Sequence, residues 1–140
     1  MLNWLIAYLA TGLIFGLCDA VWLRFAGPGL YRPMLGELLA PSFRLVPAIL
    51  FYLIYVAGMV WFAVRPGVVV GVPFGVMNGA ILGLLCYAAY DLTNQATMKV
   101  WPWQVTLIDV VWGMAATAFA CGAGAFAVRK FIELYPQTAG

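Results

Sequence analysis

The 140-residue chain is 66% hydrophobic and 9% charged, against roughly 45–50% and about 25% in soluble domains, which excludes an ordinary water-soluble fold. A mean hydropathy of +1.00 with 16% aromatics excludes disordered and collagen-like sequence. Seven Lys/Arg and a formal net charge of +2 make no basic surface, so no nucleic-acid partner is expected. What remains is an integral membrane protein in contact with lipid, with room for one transmembrane domain over residues 1–140.

Charge-free runs at Met1–Cys18, Leu45–Val64, Pro66–Tyr90 and Val110–Val128 are each close to the ~20 residues a helical span needs. They predict an all-α bundle of four transmembrane helices near 3–24, 46–64, 74–95 and 104–129. Barrel strands do not compete, because the runs lack apolar/polar alternation. Nothing basic but the amino terminus precedes Arg24, so helix one is expected to remain in the mature protein. It carries Gly12, Gly16 and Asp19, with Trp22 one turn further on.

Between helices one and two, Phe25–Arg44 holds Arg32, Glu37 and an apolar Leu35, Leu38, Leu39 set between Pro33 and Pro41. A short interfacial helix or loop is expected there. A connector resting on lipid headgroups is favoured over a lid across a site. Pro47, Pro66, Pro73 and Pro102 are expected at helix ends, since an interior proline deletes a backbone hydrogen bond. The stretch Arg65–Val72 reads as a short turn. Helix two shows no descending series of polar residues.

In helix three, Gly75, Gly79, Gly83, Tyr87, Asp91 and Gln95 recur every fourth position and so share one face. Small residues mark faces where helices approach closely in lipid, and Asn78 on the same helix suits an interhelical hydrogen bond. Helix four repeats the pattern with Asp109, Gly113, Thr117 and Cys121 beside Ala120 and Gly124. The Lys/Arg count sets Arg65, Arg129 and Lys130 against Arg24, Arg32, Arg44 and Lys99, a near balance that assigns neither face to the cytoplasm.

Cys18, Cys86 and Cys121 lie in apolar stretches and read as small buried hydrophobes. The absence of histidine removes the commonest general base and metal ligand. No cofactor and no metal site are expected. The residues that violate the class are Asp19, Asp91 and Asp109, because an ionisable group in a span marks a functional site by default. Four spans put all three near the same membrane face. Their helical stripes turn them inward.

Around them stand Thr93, Asn94, Tyr87, Tyr90, Trp22, Trp112 and Arg24, which complete the candidate binding set. The spacing D-x-x-W occurs in helices one and four. Since those helices run oppositely, Trp22 is expected nearer the interface and Trp112 deeper, as a pocket wall; Trp101 and Trp103 read as an interfacial belt. Three carboxylates in a partly desolvated space cannot all stay ionised uncompensated, so a proton-coupled or cation-binding site follows. The structural alternative pairs them with Arg24 or Lys99.

The run Tyr90-Asp91-Leu92-Thr93-Asn94, with Ala96-Thr97, Trp101-Pro102 and Asp109 through Trp112-Gly113, joins Asp19, Trp22-Leu23, Tyr31, Leu35-Gly36 and Phe51-Tyr52 in a pattern covering most of the chain. It resembles a family of small bacterial inner-membrane proteins catalogued as a domain of unknown function. The resemblance implies four spans and a multi-pass place in the bacterial inner membrane. It brings no activity or catalytic residue.

Three functions remain on this reading. The first is binding or transport of a proton, cation or small molecule, with a homodimer using the glycine stripes as contact faces. The second is a non-catalytic assembly or partner subunit of a membrane complex. The third is an intramembrane lipid-modifying enzyme, although no nucleophile stands beside a base.

Overall fold

The computed structural model describes residues 2–138. Four helical segments are long and apolar enough to cross a membrane: α1 Leu2–Leu38, α2 Leu45–Val70, α3 Val72–Thr97 and α4 Trp103–Leu134. No strand occurs among the described residues. Half of the apolar stretch of α4 is buried, against about a fifth for each of the others, so α4 is the axis that α1, α2 and α3 surround. Leucines, valines and phenylalanines on the outer faces are left exposed: Leu13, Ile54 and Val69, for example. Lipid, not water, is the solvent that accepts such a surface.

The two glycine stripes explain how closely α3 lies on α4. A Cβ added at Gly79 would come within 2.8 Å of the Cys121 Cβ and 2.9 Å of the Thr117 carbonyl oxygen, and one at Gly83 would fall on the Gly113 carbonyl. Gly113 in turn makes room for the Tyr87 ring. These faces are therefore closed inside the monomer and are not free to form the dimer contact expected of them. In α1 the inward stripe is Asn3, Ala7, Thr11, Phe15 and Asp19, with Gly12 and Gly16 to one side.

Every span is longer than the sequence suggested; Pro47, Pro73 and Pro102 stand at helix starts as expected, but Pro66 does not end its helix. The second helix passes over Pro66 to Val70, through a wide π-type turn at Val60–Val64. Pro66 has no N–H to return to the Phe62 carbonyl four residues back. The Asn78 amide of α3 donates to that carbonyl at 3.1 Å, so the interhelical bond foreseen for Asn78 takes up the acceptor that the proline leaves free. Asn78→Ala is expected to cost about 1 kcal/mol. In a Pro66→Ala background, which restores an amide there, the cost should shrink; thermal unfolding in lipid nanodiscs of the four proteins of this cycle measures the difference.

A single residue, Gly71, joins α2 to α3. Its φ of 146° and ψ of 153° lie where a side chain is strained, which glycine escapes. Just inside this turn, a Cβ on Gly67 would meet the Gly75 Cα at 2.7 Å. The Arg129 guanidinium of α4 donates to the Val68 carbonyl at 2.7 Å, satisfying one of the open acceptors at the end of α2. At this same end Arg65 lies over Trp61 and Trp4, 4.7 and 5.6 Å from the ring centroids.

The segment after α1's regular part departs most from expectation. The α-helix to Ala26 continues through a π-type turn at Gly27–Tyr31, the short turn Arg32–Leu35 and a 3-10 turn at Gly36–Leu38. Wide turns around Pro28 and Pro33 keep the chain helical where the missing amides would have broken a regular helix. Leu35 is buried while Gly36 to Arg44 are exposed, so the first part of this segment packs back onto the bundle.

Candidate functional site

The three aspartates are buried: Asp19 is 9% exposed, Asp109 8% and Asp91 0%. Each arrives there by helical period. Asp19 ends the buried stripe of α1, Asp91 follows Gly75, Gly79 and Gly83 along the α3 face, and Asp109 opens the buried stripe of α4. Asp91 and Asp109 lie within electrostatic reach of each other, as do Asp109 and Asp19.

No arginine or lysine neutralises them. The one salt bridge among the described residues joins Lys130 to Glu133 at 2.6 Å, far along α4 from Asp109. The pairing with Arg24 or Lys99 is not formed. Instead tyrosines serve the acids: the Tyr31 hydroxyl donates to Asp109 Oδ1 at 2.5 Å, and the Tyr52 hydroxyl of α2 donates to Asp19 Oδ2. The Trp22 indole N–H donates to the Tyr31 oxygen at 2.9 Å. The regular part of α1, the turn at its end that carries Tyr31, and α4 are thereby joined in one chain of polar contacts.

Asp91 is different. Neither carboxylate oxygen has a hydrogen-bond partner, and the Trp101 indole N–H, close enough to act on the carboxyl, is itself buried without closing a bond to it. The Trp101 backbone is held in place, since Gln95 donates to its carbonyl at 3.2 Å while Thr106 donates to the Gln95 side-chain oxygen at 2.7 Å.

Asp19 and Asp109 line a cavity of about 360 Å³. Trp22 and Trp112 stack within it, ring centroids 4.4 Å apart and planes 8° from parallel. The stack brings the tryptophans of the two D-x-x-W stretches face to face between α1 and α4. Tyr87, Tyr90 and Trp101 complete an aromatic wall, with Tyr90 edge-on to Trp101 at 5.8 Å. Tyr31, Arg32, Leu35 and Leu39 close the cavity from the irregular turns at the end of α1. That segment thus covers the site, as a lid would.

Among the sequence candidates, Asp19, Asp109, Trp22, Trp112, Tyr87 and Tyr90 line the cavity together. Asp91 stands beside it. The structure does not bring in Arg24, which is exposed; Arg32 lines the cavity instead, because the two arginines lie on different helical faces. Thr93 is exposed and donates to its own helix at the Ala89 and Tyr90 carbonyls, 2.6 and 2.9 Å away. Asn94 is half-buried outside the lining. Trp103 is exposed at the bundle's edge, whereas Trp101 belongs to the cavity wall and not to a belt.

Sequence reasoning missed Tyr31, Arg32 and Tyr52. A weak signal pointed to the two tyrosines, since a phenol hydroxyl in or near a span has to find a partner and the carboxylates were the acceptors on offer; none pointed to Arg32. The arrangement can hold a positive charge. Two acids without a basic partner, facing aromatic rings, supply both charge and polarizable faces.

Neither the curated proteins nor the solved structures contain a match to this sequence. A family profile described as Predicted membrane protein (DUF2177) matches residues 4–126, and the chain belongs to that family.

Proposed function

We propose that this protein resides as a multi-pass protein in the bacterial inner membrane and binds a small cation in the cavity between α1, α3 and α4, in the manner of a transporter's substrate site. One observation carries this reading: Asp19 and Asp109 line the same cavity, two acids to the single Arg32 that also lines it and is paired to neither. Burying such charge is unfavourable unless a cation or proton compensates it. The acids are not gathered into a metal-ligating cluster among the described residues. Trp22, Trp101, Trp112, Tyr87 and Tyr90 surround the space, so an organic ammonium, which binds to aromatic faces as well as to carboxylates, fits better than a bare metal ion.

Protons compete for the same oxygens. Cation affinity is therefore expected to fall as the pH is lowered through the titration of the carboxylates.

The test uses the full chain in nanodiscs and tetramethylammonium as the probe, followed by tryptophan fluorescence. Saturable binding is expected for the wild type. The double substitution Asp19→Asn with Asp109→Asn should weaken it by about 100-fold or more, since each charged contact contributes about 1.5–3 kcal/mol, while leaving the folded yield intact. Wild-type-like binding by the double variant would sink the proposal.

A further inference from the structure

A second cavity, of about 420 Å³, adjoins the first. Trp22, Leu107, Ile108, Val111, Trp112 and Ala115 line it. Leu107 and Val111 are 63% and 59% exposed, so this groove opens on the lipid-facing side of α4. It shares Trp22 and Trp112 with the acidic cavity, and the stacked pair is where the two meet. One side of the pair offers carboxylates and hydroxyls. The other offers hydrocarbon alone, apart from the two indole nitrogens.

Such a division matches one kind of ligand. We infer that the site takes an amphiphile from the bilayer, with its ammonium head in the Asp19–Asp109 cavity and its hydrocarbon tail in the apolar groove along Leu107, Val111 and Ala115. This rests on the cation-binding proposal and adds the substrate class to it. A tail-free cation would leave the groove unused, and an uncharged lipid would leave the two acids with only Arg32 to offset them. Entry from the membrane also agrees with the covered outer end, where Tyr31 is tied to Trp22 and Asp109 and Leu35 is buried.

Arg32, which lines the same cavity, stands ready for an anionic group next to the ammonium, as in a lipid whose head carries both an amine and a phosphate.

The experiment compares three probes on the full chain in phosphatidylglycerol nanodiscs: tetramethylammonium, dodecyltrimethylammonium with a brominated chain, and a maltoside with the same brominated chain. Bromine quenches nearby tryptophans, so in a chain whose exposed Trp4, Trp61 and Trp103 are replaced by Phe the signal reports binding at the Trp22, Trp101 and Trp112 wall. The ammonium amphiphile is expected to quench saturably at concentrations at least about tenfold below those at which tetramethylammonium displaces it. Asp109→Asn should weaken both ammonium probes. Ala115→Phe, a lipid-facing change that fills the groove, should cut the tenfold advantage of the tail to about twofold, and Val111→Phe should do the same if the first variant folds poorly.

Equal affinity of the tailed and tail-free cations, or equal quenching by the maltoside, would overturn the amphiphile assignment while leaving the cation site standing. Failure of both ammonium probes to saturate would overturn the cation site itself.

Discussion

Gly83→Ala is expected to unfold the bundle or to cost about 3 kcal/mol, although it adds one methyl group to a helix and would stabilise an isolated helix by up to about 1 kcal/mol. The added Cβ falls on the Gly113 backbone carbonyl. Backbone cannot swing aside as a side-chain tip can, so α3 and α4 must separate along their shared face. Separation would undo the seats of Tyr87 and Asp91 at the same time. Gly16→Ala is the control: nothing lies within 4 Å of a Cβ there, and its thermal midpoint should equal or slightly exceed the wild type's. Fluorescence-monitored unfolding of both variants in one detergent decides the matter. A Gly83→Ala protein as stable as the wild type would show that the two helices do not approach as closely as described.

The second large effect runs the other way. Asp91→Ala is expected to stabilise the fold by about 1–3 kcal/mol, because it removes two buried carboxylate oxygens with no hydrogen-bond partner and leaves only a small gap. Such a gain would mark Asp91, which sits close to the Trp101 indole, as kept for something other than the frame. The same variant should lose the pH dependence of cation affinity in part, since one of three interacting carboxyls is gone. A lower thermal midpoint for Asp91→Ala would mean that Asp91 holds the fold together and is not held by it.

The site was half legible before any coordinates. Helical periodicity placed Asp19, Asp91 and Asp109 inward because a carboxylate facing lipid is too costly to be left there, and that argument needs only sequence. The two tryptophans at D-x-x-W were found by the same spacing. Partners from other elements were not. Tyr52 lies on a helix that reads as uniformly apolar, and Tyr31 comes from a segment whose prolines looked like interruptions; wide π-type turns carry the chain past them. Whether an arginine reaches a cavity, as Arg32 does and Arg24 does not, depends on the angle at which those turns leave the helix.

The sequence by itself determined the solvent, the number of spans and which faces turn inward, since composition and the period of 3.6 act through energies of several kcal/mol per misplaced charge. Only the tertiary structure decided which hydroxyl serves which acid, that the glycine stripes close within one chain, and that an acidic cavity and an apolar groove meet at one pair of tryptophans. Those outcomes rest on differences of ångströms between helices far apart in the chain. No local pattern encodes them.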